Sequence, residues 1–119
     1  MITAESIDVD SSDPAFVRVR HVQIEDGVDM GGTLVIERAS ATHLADQLEA
    51  ATTQYGYPGS ETKLGADELR VYESGPEQRP IVNVINRRAA AAPNGGVYGL
   101  MMTAPYAKQL AKLLRALRN

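Results

Sequence analysis

The side chains that could do chemistry in this chain are few and scattered. Cysteine is absent, which removes disulfides, zinc–thiolate sites and thiol nucleophiles. The two histidines, His21 and His43, lie far apart with no HExxH spacing, so neither has a zinc-binding companion on its own helix turn. Asp8-Val9-Asp10-Ser11-Ser12-Asp13 opens like a calcium loop. Such a loop then needs an acid or amide at its fifth place, glycine at its sixth and glutamate at its twelfth. Those places hold Ser12, Asp13 and Val19, so the segment reads as a polar turn between strands.

Glycine pairs could cradle a phosphate, but only where a helix follows. Gly31-Gly32 and Gly95-Gly96 precede strand-like segments, which is turn usage. No GxGxxG, GxxxxGK[ST] or GxSxG occurs, and nothing in their spacing joins Glu37 to Glu49 as an acid–base pair. The expectation is a protein that is not an enzyme, with no catalytic, metal or cofactor site.

The elements that would carry a binding surface are easier to read. Ser6–Asp10 alternates as a short strand, and Ser11 to Pro14 is turn chemistry. Residues 16–24 (FVRVRHVQI) are β-branched and alternating. Keeping Val17, Val19, Val22 and Ile24 on one face requires a bulge near Arg20-His21. Residues 25–32 read as a loop and 33–38 as a third strand. Ser40 or Thr42 can cap the following helix, and Gly56 can end it. Further strands are expected at 68–74, 81–86 and 97–102, then a helix capped by Thr103 with Pro105 in its first turn.

This order repeats. Ile7 and Val9 match Leu69 and Val71, and Val17-Arg18-Val19 matches Val82-Asn83-Val84. The glycine pairs match each other, and Leu44-Ala45-Asp46-Gln47-Leu48 matches Tyr106-Ala107-Lys108-Gln109-Leu110. All these matches lie about sixty-two to sixty-five positions apart. Direct alignment therefore pairs Leu48 with Leu110 and Ile36 with Leu100. The expected fold is α+β in two layers: one antiparallel sheet of about six strands, two helices on one face, and a tandem βββα–βββα duplication. Residues 1–119 form a single domain of two similar halves, about 1–56 and 66–119, joined by a Gly/Pro/Ser linker.

The helix faces orient the sheet. Tyr106, Leu110, Leu113, Leu114 and Leu117 share one arc of the second helix, opposite Lys108, Lys112, Arg115 and Arg118. Leu44, Leu48, Ala51 and Tyr55 share a face of the first, and His43 points away. Strand alternation then assigns Arg18, Arg20, Val35, Glu37, Arg70, Tyr72, Ile85, Val97 and Met101 to the face away from the helices. A mixture of arginine, aromatic and aliphatic side chains is typical of an interface centre. Glu37 and Arg70, of opposite charge, could fix the register of a second copy docked there.

Charge divides with the repeat. Residues 1–62 hold eleven acids against three bases, and residues 63–119 hold nine bases against four acids. Packed together these fields largely cancel, and the whole carries −3. The leading expectation is a small protein-interaction module, self-associating as a homodimer through the open sheet face or an edge strand. The alternative is single-stranded nucleic-acid binding by the Arg and Tyr side chains of that face. A repeated strands-then-helix unit resembles the PUR and Whirly folds, which hold single strands on curved sheets. Those repeats carry four strands where three are read here, and none of their signature residues is matched. An acidic pI near 5.3 weighs against nucleic acid. The first residues, Met1 to Glu5, have neither the basic nor the apolar region of a signal peptide. A cytoplasmic protein that contacts no membrane is expected, and its Ala- and Arg-rich usage suggests a bacterial or phage gene.

Overall fold

The computed structural model describes residues 3–117; Arg118 lies outside them. Among these residues the order is β1 (Ser6–Asp10), β2 (Phe16–Val22), β3 (Ile24–Glu25), β4 (Val28–Asp29), β5 (Gly32–Glu37), a 3-10 turn (Arg38–Ser40), α1 (Ala41–Thr53), β6 (Thr62–Leu64), β7 (Asp67–Ser74), β8 (Ile81–Arg88), β9 (Gly96–Thr103) and α2 (Ala104–Arg115). It is an α+β fold of two helices and several antiparallel sheets. The strands do not join into one sheet of about six. They form β1-β2-β5, the ribbon β3-β4, and β6-β7-β8-β9.

Each larger sheet is a meander followed by a helix: α1 lies on the other sheet, and α2 lies on both. Helix α1 packs against β7 and β8, α2 packs against β1, β8 and β9, and the two helices pack on each other. Their faces follow the sequence arcs: Leu44, Leu48, Leu110 and Leu114 are buried, and Lys108 and Lys112 are exposed. One apolar core holds both helices together with Val17, Val19, Leu34, Ile36, Leu69, Val71, Val82, Val84, Leu100 and Met102. Asp46 and Glu49 on α1 reach Arg115 on α2 at 2.6 and 2.8 Å across the outer rim.

Five local expectations are corrected. There is no bulge in β2: Val17, Val19 and His21 all point inward. His21 takes the inward place assigned to Val22, and Ile24 is exposed instead. Residues 25–32 are not wholly loop, because Asp26-Gly27 turns a two-residue hairpin in which Ile24 pairs with Asp29. Both turn residues have positive φ, 50° and 80°, the twist that suits a tight hairpin. The linker contributes β6, paired to β7, and its Tyr57 carbonyl accepts the Glu73 N–H. Tyr55, expected on the buried face of α1, is 61% exposed; the helix ends at Thr53, before that face can continue. Finally, neither Ser40 nor Thr103 caps its helix through its side chain.

Candidate binding face

On β7, β8 and β9 the side chains facing away from the helices stand in cross-strand rows. Arg70, Ile85 and Gly99 form one row; Tyr72, Asn83 and Met101 form the next. Gly99 contributes no side chain to its row, and the gap is open: a methyl group there would meet only the Val84 carbonyl, at 3.9 Å. A cavity of about 260 Å³ results, lined by Tyr72, Ile85, Met101, Asn83, Gln23 and their neighbours. Its walls are fixed. The Arg70 guanidinium lies 4.5 Å from the Tyr72 ring centre and donates to the Pro58 carbonyl at 3.0 and 3.3 Å. Asn83 Nδ2 donates to Ser74 Oγ at 2.8 Å.

A second groove of about 230 Å³ adjoins the first and shares Gln23 and Gly99 with it. His21, Met30, Val97 and Tyr98 stand along it. Two of the large apolar side chains left exposed border it, Val97 at 71% and Met30 at 60%, and two more, Val28 at 58% and Ile24 at 39%, stand on the β3-β4 ribbon. His21 is buried beneath the groove, and its Nδ1 has no hydrogen-bond partner. Burial lowers its pKa from the usual value; the Gln23 hydrogen bond, the Asp29 charge and the Gly99 backbone oppose that shift.

The nine residues assigned to the open face do not form one site. Tyr72, Ile85 and Met101 line the cavity, Arg70 stacks on the Tyr72 ring, and Val97 stands at the adjoining groove. Arg18 and Arg20 are on the other sheet and are engaged there. Arg20 meets Asp10 at 2.8 Å and Arg18 meets Asp13 at 3.4 Å. Asp10 and Asp13 also accept backbone N–H groups from Ser12 and Ala15, at 2.9 and 2.8 Å, as a polar turn requires. Those hydrogen bonds, more than the arginines, hold both carboxyls below their usual range. Val35 and Glu37 are not on an open surface. Val35 is 5% exposed, because β5 lies against β8 and β9. The Glu37 carboxylate faces Arg88 at 3.7 Å, not Arg70.

That contact belongs to a buried polar cluster which the sequence reading missed. Asp67 is fully buried. One carboxylate oxygen accepts from Arg88 at 2.5 Å and Asn86 at 3.0 Å. The other accepts from the Ser40 hydroxyl at 2.7 Å and the Glu37 N–H at 2.9 Å. Asn86 also donates to the Val35 carbonyl at 2.8 Å, and the Arg88 guanidinium lies 5.1 Å from the Phe16 ring centre. Burial works to raise the Asp67 pKa, but the hydrogen bonds from Asn86, Ser40, Glu37 and Arg88 outweigh it and hold it below the usual value. The free edge of β5 is thus satisfied by side chains of β7 and β8, which is how the two sheets abut without a continuous ladder.

No known protein family and no curated protein matches this chain. The chemistry must therefore be read from the site alone. Among the described residues, no three His, Asp or Glu side chains gather where they could hold a metal ion, and no helix is long and apolar enough to cross a membrane. The cavity walls are mainly apolar, and the Asn83 amide among them is engaged by Ser74. Such a surface can desolvate an apolar side chain.

Proposed function

We propose that this small globular domain is a non-catalytic protein-interaction module that self-associates through the β7-β8-β9 face and the β3-β4 ribbon. One observation carries the reading: Met30 and Val97, two of the most exposed large apolar side chains, border one groove, and the exposed Ile24 and Val28 stand on the β3-β4 ribbon that leads into Met30. That groove is continuous with the Tyr72–Ile85–Met101 cavity. The nucleic-acid alternative is weaker, because it needs free arginines beside a stacking ring. Arg18 and Arg20 are held by Asp13 and Asp10, and Arg70 already occupies the Tyr72 ring.

The tandem duplication belongs to the same proposal, and the ladders support it with a shifted correspondence. Val17 pairs with Ile36 and Val19 with Leu34, as Val82 pairs with Met102 and Val84 with Leu100. Buried Ala41, Leu44, Ala45 and Leu48 have the spacing of Ala107, Leu110, Ala111 and Leu114. Leu48 then answers to Leu114 and Ile36 to Met102, not to Leu110 and Leu100. On this register His21 and Gln23 answer to Asn86 and Arg88. One half closes its junction with the Arg88 ion pair, and in the other the uncharged Gln23 stands beside open space. Divergence of a repeat thereby accounts for the cavity beside Gln23.

Sedimentation of Val97→Asp plus Met101→Asp tests the interface. The double variant is expected to be a folded monomer under conditions where the wild type is a dimer. A dimer of unchanged affinity would place the contact elsewhere, first of all on β1.

A further inference from the structure

We propose that the occupant of the Tyr72–Ile85–Met101 cavity is the β3-β4 hairpin of a second copy, exchanged reciprocally about a twofold axis. The inference rests on the reading of this face as an interface and names what fills it. Three observations point to the hairpin. First, the cavity, at about 260 Å³, falls below the range of about 300–1,000 Å³ usual for small-molecule sites and suits inserted side chains. Second, the hairpin carries apolar side chains with no place in their own fold: Val28 and Met30 are 58% and 60% exposed. They sit on a tight turn fixed by Asp26-Gly27 and by the Asp29 carboxylate, which accepts the Gly31 N–H at 2.8 Å.

Third, the charges are complementary. No ion pair engages Glu25, Asp26 or Asp29 among the described residues, and none engages Arg70 or Arg79. Arg70 stacks on the ring of Tyr72, a wall of the cavity, and Arg79 lies beside Ile81 and Thr103, the next row of the same face. An acidic apolar hairpin thus has a basic-rimmed apolar slot to enter, but not its own: the two grooves meet side by side at Gln23 and Gly99. A twofold axis near that junction carries each hairpin over the other copy's slot, making one patch serve both partners. An interface of ordinary size needs about 800 Å² from each copy, about one-eighth of the 6433 Å² surface.

The test uses the full chain and two lesions, each checked for fold by circular dichroism and thermal melting. Val28→Asp plus Met30→Asp spoils the hairpin. Gly99→Val fills the slot, where the backbone leaves room. Each variant alone is expected to dimerise at least about tenfold more weakly than wild type, as loss of a buried anchor does. Mixed together they are expected to form a heterodimer tighter than either homodimer, because the intact hairpin of one meets the intact slot of the other. Unchanged dimerisation of the hairpin variant overturns the exchange; if the slot variant is weakened at the same time, the interface reading survives with another occupant. A wild type that stays monomeric at high micromolar concentration overturns both.

Discussion

Replacing Arg88 with alanine should be among the most damaging single changes in this chain. Its side chain is 1% exposed and faces an Asp67 side chain that is 0% exposed. Breaking a buried ion pair from one side costs about 3–5 kcal/mol, mostly because the remaining charge is stranded. Here the strain on Asp67 is moderated, since Ser40, Asn86 and the Glu37 N–H still donate to it. Against that, the Pro93 carbonyl loses two donors, at 2.9 and 3.2 Å, and the Phe16 ring loses its cation. These effects keep the expected loss near about 3–5 kcal/mol. For a domain of this size 1 kcal/mol is worth about 4 °C in Tm, so the midpoint should fall by about 12–20 °C. Urea and thermal unfolding followed by circular dichroism will measure it. Asp67→Asn combined with Arg88→Met should recover much of the loss, because it leaves no fully buried charge stranded, and Glu37, whose side chain is 32% exposed, keeps access to water. An Arg88→Ala protein within about 0.5 kcal/mol of wild type, the range of a surface change, would refute the argument that this pair holds the sheets together.

Other outcomes follow from burial and titration. Leu110→Ala should cost about 2–5 kcal/mol, and Lys112→Ala should stay within about 0.5 kcal/mol; equal urea midpoints would mean the wrong face of α2 is buried. Because the folded pKa of His21 is lowered from 6.5, the unfolded chain takes up its proton first on acidification. Its contribution to stability is complete above about pH 6.5 and is lost as pH falls through the lower folded value. His21→Asn should flatten urea midpoints between pH 7 and 5, and an unaltered slope would assign that dependence to other groups. Asp67, also lowered, acts in the same direction below pH 3.8; Asp67→Asn should therefore lose stability at pH 7 and less at pH 2, measured by thermal melting.

The sequence was most legible where a pattern is local. Alternating β-branched residues placed β2, β5, β7 and β8 within a residue or two, and the leucine arcs identified the buried faces of both helices. The Asp26-Gly27 hairpin was not read, although Asp-Gly is a strong turn signal, because flanking strands of two residues each are too short to show alternation. What local patterns cannot carry is contact between distant segments. Val35 alternates outward on its own strand and is buried only because β8 and β9 lie against it. Asp67, Asn86 and Arg88 stand at or just beyond the expected ends of two strands, where alternation assigns them no face. Only the crossing of the halves encloses them with Ser40 and Glu37. The cavity was half legible: Tyr72, Ile85 and Met101 follow from alternation, whereas Gln23 arrives from the other sheet's end.

Hydrogen exchange of the wild-type protein at low and high micromolar concentration tests the interface most directly. Slower exchange at high concentration is expected in peptides covering Ile24 to Met30 and Val97 to Met101, with the α1 and α2 peptides unchanged. Exchange independent of concentration in both segments, or new protection confined to β1, would contradict the account.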